Sequence, residues 1–193
     1  MTKIRSRQQL IDAAAKVFAE KGYDAARLED IAAELDVLQG SLYYHVGSKA
    51  ALYRLVLLQR FETIIVAIEK IAAGTASPED KLRQAIREQL RYLARHRSES
   101  AHWFDSLPAN DKAPAEAEED RALLLRLRES WKAIIREGIR TGAIRKNVDA
   151  SVAVLSILGM TNYVARWYDP DDSRTIDQIA DTQFAMVWDG LAD

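Results

Sequence analysis

The sequence predicts an all-α fold, with a three-helix helix-turn-helix domain over residues 1–50 and a larger helical domain over residues 51–193. Three observations lead to this prediction. Apolar residues recur at intervals of three and four along most of the chain, whereas the strict alternation of strands is almost absent. Residues that end or start helices divide this pattern into segments. Two of the N-terminal segments are short and only a few residues apart, which is typical of a helix-turn-helix.

The two short helices are expected between residues 28 and 46. The first places four apolar residues on one face, namely Leu28, Ile31, Ala32 and Leu35. The second covers residues 39–45 and turns Leu42, with Val46, toward the core. In a helix-turn-helix the second helix enters the major groove of DNA, so this segment predicts DNA binding.

The turn between these helices holds two informative residues, Asp36 and Leu38. Asp tolerates a left-handed backbone better than most residues, so we expect the tight turn to form at Asp36. Leu38 has no side-chain oxygen with which to cap the following helix. We therefore expect Gln39 or Ser41 to support that helix start instead.

The rest of the chain is expected to form five longer helices. Ser48 is a suitable N-cap for a long helix that would connect the two domains. Ser77 followed by Pro78 marks the next helix start, because proline is favoured at the first helical position. Gly142 ends a later helix. The expected helices cover residues 48–73, 78–97, 118–141, 149–168 and 173–191, with a short segment at 100–107.

Three segments of the first domain carry a resemblance to a known family. They are AA at 13–14 with VFAEKGY at 17–23, GSLYYHV at 40–46, and SKAAL at 48–52. Together they resemble the signature of TetR-family transcriptional regulators over residues 5–58. The chain departs from the family pattern at Asp36, where Gly is usual, and at Leu38, where Ser or Thr is usual. The resemblance implies an N-terminal DNA-binding domain and a C-terminal helical domain for ligand binding and dimerisation.

The basic N-terminal arm is one candidate for DNA contact. Lys3 and Arg5 belong to a terminus, residues 1–7, that contains no acidic residue. Such an arm can follow the phosphate backbone or reach the minor groove. A frayed, solvated terminus is the alternative for the same composition.

The recognition helix supplies most of the other DNA candidates. Gln39 lies at its start and can form a bidentate pair with adenine. Tyr43 and Tyr44 can contact phosphates and thymine methyl groups, unless one of the rings belongs to the core. His45 and Lys49 resemble the phosphate-contacting positions of the family, although Lys49 could also be merely solvated. The full candidate set is Lys3, Arg5, Arg27, Gln39, Gly40, Ser41, Tyr43, Tyr44, His45 and Lys49.

The larger domain is rich in aromatic residues, which suits either a ligand cavity or an ordinary core. Polar residues among them could orient a ligand. His96 and His102 lack the i, i+4 spacing and the carboxylate of a helical metal site, so we expect no metal. The candidate ligand-binding residues are Tyr92, His96, Trp103, Phe104, Trp131, Asn162 and Arg166.

The last two helices are apolar on more than one face. Such a helix must bury two sides, and one of them can meet a partner subunit. This pattern is similar to the four-helix dimer interface of TetR-family proteins, and helix-turn-helix proteins usually read palindromic sites as pairs. A monomer with a deep core is the alternative. The expected interface residues are Val152, Leu155, Gly159, Ile179, Phe184 and Val187.

Two short motifs resemble one branch of the family. LQGSLYYH at 38–45 and VARWYDP at 164–170 look like the acyl-CoA-responsive branch, which represses fatty-acid or sterol-side-chain catabolism. This resemblance implies a repressor that leaves a palindromic operator when an acyl-CoA binds the helical domain. The second motif can equally be a structural corner. A regulator with another aromatic or hydrophobic effector, or one without an effector, remains open.

Composition excludes several other classes of protein. The 193 residues carry a net charge of −2 and no cysteine, so disulfides and thiolate metal sites are absent. No run of 18 apolar residues and no signal-like N-terminus occur, so we expect a cytoplasmic protein without a membrane partner. We find no paired carboxylates, metal cluster or activated nucleophile, and we therefore expect neither an enzyme nor a cofactor.

Overall fold

The computed structural model describes residues 6–96 and 117–192 of the chain. Within these ranges it contains eight helices and no strand, apart from an isolated bridge between Ile144 and Ala192. The all-α prediction is confirmed. The helices are α1 (Arg7–Ala25), α2 (Leu28–Glu34), α3 (Gln39–Val46), α4 (Lys49–Ala73), α5 (Pro78–Arg95), α6 (Ala117–Thr141), α7 (Ala150–Trp167) and α8 (Ile176–Leu191).

The chain divides into two compact units, Met1–Phe61 and Glu62–Asp193. The first unit holds α1, α2, α3 and the first part of α4. The second unit holds the remainder of α4 together with α5, α6, α7 and α8.

In the first unit, α1 begins after Ser6, whose hydroxyl accepts a hydrogen bond from the Gln9 amide at 3.1 Å. The helix is kinked at Gly22, where φ is +74°, a value that glycine adopts without steric cost. After the kink, the Tyr23 ring lies 4.6 Å from the ring of Tyr53 in α4, measured between centroids. The kink therefore turns the end of α1 toward the start of α4.

The helix-turn-helix forms as its hydrophobic pattern predicts. Asp36 has a φ of +53°, so the left-handed turn expected at this aspartate is present. Helix α3 begins after Leu38, which provides no side-chain cap, and the side-chain amide of Gln39 donates to Glu29 instead of supporting the helix start. The expected support by Gln39 is therefore wrong, and support by Ser41 stays a prediction. Six residues of the helix-turn-helix predicted to face the core are buried: Leu28, Ile31, Ala32, Leu35, Leu42 and Val46. Val37 of the turn, which the pattern also predicts to point to the core, is only half-buried.

In the second unit, α5 begins as predicted, with Ser77 as its N-cap and Pro78 in the first turn. The last helix begins later than expected, at Ile176 rather than residue 173. Thr175 caps it through reciprocal bonds with Gln178, whereas the Ser173 amide is bonded to Asp172. The expected short segment at 100–107 lies outside the described residues.

Charged pairs join the helices of the second unit. The Lys81 ammonium in α5 is only 3% exposed and lies 2.6 Å from Glu137 in α6. A charge buried to this extent needs such a partner, because its desolvation is costly. Arg126 in α6 binds two carboxylates of α4, with two nitrogens on Glu69 at 3.0 Å and a third on Glu62 at 3.1 Å. The hydrogen bonds that Arg126 donates to Glu69, and next those to Glu62, raise the pKa of Arg126.

Candidate functional sites

One face of α3 is open to solvent, and it carries half of the residues predicted to contact DNA. Tyr44 is 89% exposed and Tyr43 is 45% exposed, so neither ring belongs to the core of the first unit. On the opposite face of α3, Leu42 is fully buried and packs into the core of the first unit. We call the exposed residues of α3 the recognition face: Gln39, Gly40, Tyr43, Tyr44 and His45.

The residue before the recognition face was not a sequence candidate for DNA contact. The Leu38 side chain is 58% exposed, although leucine side chains are usually buried. Its backbone starts α3, while its side chain caps nothing. The sequence contained a signal for Leu38 as a contact residue, because a large apolar side chain that does not cap the helix is unexpected at this position of the turn.

A hydrogen bond crosses from α3 to α2 at the start of the recognition face. The side-chain amide nitrogen of Gln39 donates to the Glu29 carboxylate, and both side chains are exposed. The Gln39 carboxamide therefore has a fixed partner within the protein. Sequence reasoning did not find Glu29, because the contact depends on how α2 and α3 are arranged in space.

Lys49 is held by the end of α1. Its ammonium donates to the backbone oxygens of Tyr23 at 2.7 Å, Ala26 at 3.1 Å and Asp24 at 3.2 Å. It also lies 4.4 Å from the centroid of the Tyr23 ring. An ammonium has three N–H groups, so these carbonyls use all of them. The phosphate contact expected of Lys49 stays a prediction, and it would compete with these bonds.

Arg27 is exposed just before α2, beside a small charged cluster. Its backbone N–H donates to Asp30 at 3.0 Å, and the Lys21 ammonium lies 2.7 Å from the other oxygen of the same carboxylate. The hydrogen bond from Lys21 lowers the pKa of Asp30, with the Arg27 backbone N–H as the next cause. The other basic candidates, Lys3 and Arg5, lie outside the described residues.

The ligand candidates of the second unit gather on α5, α6 and α7. Tyr92 is 7% exposed, Trp131 is fully buried, and the rings of Tyr92 and His96 lie 4.9 Å apart between centroids. Asn162 accepts a hydrogen bond from the buried Gln89 at 2.8 Å, which joins α7 to α5. Arg166 is exposed at the end of α7 and is not brought into this group. The candidates Trp103 and Phe104 lie outside the described residues.

Four buried polar atoms of the second unit lack a hydrogen-bond partner among the described residues. Two of them belong to fully buried side chains, namely the Oε1 acceptor of Gln89 and the Nε1 donor of Trp131, and the other two are Arg87 Nε and Gln183 Oε1. An unsatisfied buried polar group costs about 1–3 kcal/mol, so native proteins rarely keep one without a use. Gln89 was not a sequence candidate, because a glutamine on a helix normally faces water.

The outer faces of α7 and α8 carry exposed apolar side chains. Val152 is 60% exposed and Leu155 is 53% exposed, and the exposed Gly159 follows them on α7. On α8, Met186 is 66% exposed and Val187 is partly exposed.

Two predicted interface residues of α8 lie on its inner side. Ile179 and Phe184 are 8% and 4% exposed within the protomer. The Arg83 guanidinium of α5 lies 3.9 Å from the centroid of the Phe184 ring, which accounts for that orientation. A role for these two residues in an interface stays a prediction.

A groove of about 470 Å³ opens beside this apolar surface. Trp167 at the end of α7 and Met186 on α8 form its apolar walls. Gln183 also lines it, and the Oε1 of this buried side chain has no partner among the described residues.

Within the described residues, no group of three or more His, Cys, Asp or Glu side chains lies close enough together to hold a metal ion. None of the eight described helices has the length and apolar character required to span a membrane.

Comparison with known proteins gives matches over both units. Residues 10–56 match the family model described as bacterial regulatory proteins, tetR family, and residues 75–191 match the tetracyclin repressor-like C-terminal domain. The HTH-type transcriptional repressor KstR2 of Rhodococcus jostii RHA1 is 29% identical over 189 residues, 96% of this chain and 91% of the relative.

Solved structures show the same fold. The ketosteroid transcriptional regulator KstR2 of Mycobacterium tuberculosis has a TM-score of 0.70 and 25% identity, over 99% of this chain and 97% of that one. The transcriptional regulator FadR of Bacillus subtilis, solved in complex with stearoyl-CoA, has a TM-score of 0.72 over 96% of this chain and 99% of that one. At 21% identity, this second likeness concerns the fold alone.

These matches confirm a DNA-binding transcriptional regulator rather than an enzyme. The match to the C-terminal domain covers more than half of the chain, and the N-terminal match contains the whole helix-turn-helix. The chain belongs to the TetR family of bacterial regulatory proteins.

Proposed function

We propose that this regulator is a repressor, that it binds a palindromic operator as a homodimer, and that a small apolar effector releases it. The observation that carries the DNA-binding part is the recognition face. Its polar and aromatic side chains point to solvent although the hydrophobic pattern beneath them is complete. Repression is supported by the relative from Rhodococcus jostii, which is named a repressor. Since the partner is chromosomal DNA, the proposal includes a cytoplasmic location.

Helix α3 offers two kinds of DNA contact. Gln39 and Ser41 lie in the first turn of α3, where recognition helices approach base edges. Tyr44 and His45 follow one turn later and suit contacts to phosphates or thymine methyl groups. Arg27, with Lys3 and Arg5 of the N-terminal arm, adds positive charge for the backbone.

A homodimer would cover the exposed apolar side chains of α7 and α8. Val152, Leu155, Gly159 and Tyr163 follow one another at helical spacing on α7, and Tyr163 is 63% exposed. A contiguous apolar surface of this kind marks an interaction site in a protein that is otherwise charged. A C₂ dimer also fits a palindromic operator, because the two share their symmetry.

The dimer is tested by one substitution with a matched control. Leu155→Asp places a carboxylate in the proposed interface, and we expect a monomer by analytical ultracentrifugation with operator binding lost. Leu125→Asp on α6 is the control, because Leu125 is 51% exposed and lies outside that interface. If Leu155→Asp remains a dimer, this interface is wrong.

We propose that the effector binds among α5, α6 and α7 and satisfies the two unpartnered atoms there. Gln89 Oε1 calls for a donor and Trp131 Nε1 for an acceptor, and both side chains are fully buried. An apolar molecule with a hydroxyl or amide group can both donate and accept, and it therefore meets both demands, whereas a carbonyl group by itself could serve only Trp131. An acyl-CoA is the first candidate, since the VARWYDP motif resembles that branch and the same fold holds stearoyl-CoA in FadR of Bacillus subtilis.

The coupling between effector and DNA would run through α4. This helix is continuous from Lys49 to Ala73, and Arg126 ties its second half to α6 through Glu62 and Glu69. An effector that displaces α6 would pull on that connection and change the spacing of the two recognition helices. The coupling needed is about 1–3 kcal/mol, as in typical allosteric proteins. A regulator without an effector is the alternative, and it would leave the two unpartnered atoms without a use.

Operator binding itself is tested by selection from random-sequence duplex DNA with the purified protein. We expect enrichment of one palindromic sequence that binds two protomers, measured by mass photometry of the complex. If the protein enriches no sequence, the proposed operator binding is wrong, and with it the proposed function.

A further inference from the structure

The first turn of α2 brings a carboxylate to the start of the recognition face. Gln39 Nε2 donates a hydrogen bond to Glu29, and both side chains are exposed, so neither is forced into this contact by burial. The start of α2 does not require Glu29, because the neighbouring Asp30 already accepts the N–H of Arg27. The contact between Glu29 and Gln39 therefore calls for a separate explanation.

The chemistry of the carboxamide supplies one. A carboxylate can only accept hydrogen bonds, so Glu29 determines that the nitrogen end of Gln39 faces α2 and the oxygen end faces away. The nitrogen carries two N–H groups. A bidentate pair with adenine uses the oxygen, which accepts from N6, and a single N–H, which donates to N7. The second N–H is left over, and Glu29 can keep it while the base is bound.

The geometry points to Glu29 as a positioning residue that holds the Gln39 carboxamide ready for adenine, a role that rests on the proposed operator binding. Glu29 itself touches no base. A carboxamide held by a partner loses less rotamer freedom on binding than a free one. It also cannot flip its oxygen and nitrogen to suit a base with the opposite donor and acceptor pattern.

The charge of Glu29 gives this role a recognisable signature. A carboxylate near DNA is repelled by the phosphates, so Glu29 lowers affinity for every sequence alike. Its hold on Gln39 raises the preference for one base. Removal of Glu29 should therefore lower the preference for that base, while the affinity for DNA of any sequence stays the same or rises. A residue that merely stabilised the fold would lower both together.

The experiment uses the full-length protein and the operator enriched from random DNA. Each adenine of the operator is replaced in turn by 7-deazaadenine, in which a C–H stands in place of N7. The adenine contacted by Gln39 is the one at which the Gln39→Ala variant no longer distinguishes the two bases. Discrimination is the ratio of Kd values for the modified and unmodified operators, measured by fluorescence anisotropy.

Glu29→Ala is then compared with Glu29→Gln and with Glu20→Ala, which removes an exposed carboxylate from α1. We expect Glu29→Ala to lower discrimination at that adenine about threefold to tenfold, without loss of affinity for random DNA. Glu29→Gln keeps an acceptor oxygen and should recover part of the discrimination, while Glu20→Ala should leave it unchanged. In the Gln39→Ala background, Glu29→Ala should have no further effect on discrimination.

Three results would overturn the inference. Glu29→Ala could discriminate as well as the wild-type protein, its effect could persist when Gln39 is absent, or no adenine could depend on Gln39. A wild-type protein that enriches no sequence is a different result, because it contradicts the proposed function as well.

Discussion

The recognition face of the first unit and the buried polar pair of the second unit, Gln89 and Trp131, use polar atoms in opposite ways. The recognition face places them in water, above a core that is complete without them. Gln89 and Trp131 lie inside the core itself, and each has an atom without a partner among the described residues. A surface that meets DNA can thus change without loss of the fold, whereas a pocket for a small ligand shares its residues with the core. The predictions below test this difference.

Trp131→Ala is expected to have the largest effect, because the indole is fully buried. We expect the free energy of unfolding to fall by about 3–5 kcal/mol, from lost burial and the cavity left behind. Denaturant titration followed by circular dichroism measures it. Trp131→Phe keeps a ring and removes the N–H, so it should destabilise far less. Equal losses in the two variants would show that the cavity does not determine the stability.

Lys49→Met removes the ammonium that joins the start of α4 to the end of α1. Three backbone oxygens lose their donor, and two of these bonds are partly buried. We expect a loss of about 1–3 kcal/mol in the free energy of unfolding. The same denaturant titration measures it, with Lys16→Met, a more exposed lysine of α1, as the control. A variant as stable as wild type but weaker in DNA binding would favour the phosphate contact instead.

Tyr44→Ala should lower operator affinity and leave the stability of the fold nearly unchanged, which is the opposite of the effect expected for Trp131→Ala. The ring is 89% exposed, so we expect the free energy of unfolding to change by no more than about 0.5 kcal/mol. Operator affinity should fall about tenfold, the value of one good contact to DNA. Anisotropy with the selected operator and thermal unfolding of the same preparation give both values. If affinity is unchanged, the ring does not contact DNA.

The smallest effect is expected from the pH dependence of Asp30. Its pKa in the folded protein is lowered, first by the hydrogen bond from Lys21, so folding favours the charged carboxylate. Its contribution to stability is therefore fully present above the unfolded pKa of about 3.9 and is lost as pH falls through the lowered folded value. Asp30→Asn should reduce the difference in Tm between pH 7 and pH 3. An unchanged difference would contradict the pairing with Lys21.

Local features of the fold were predictable from the sequence, and features that depend on tertiary arrangement were not. The buried residues of α2 and the turn at Asp36 follow from short-range spacing and backbone preference. The bond between Glu29 and Gln39 depends on the arrangement of two helices, which no local pattern encodes. Helix α8 carries apolar residues on more than one face, so its pattern could not reveal that Ile179 and Phe184 face inward.

Fluorescence anisotropy of the labelled operator with the purified protein, titrated with a panel of acyl-CoAs, tests the release of the operator by an effector. We expect tight binding that one acyl-CoA abolishes, and a Trp131→Phe variant that binds the operator normally but needs more of that ligand. An acyl-CoA that saturates the protein, as judged by a thermal shift, and leaves operator affinity unchanged would contradict this expectation, because a ligand shifts an equilibrium only through a difference in affinity between two states.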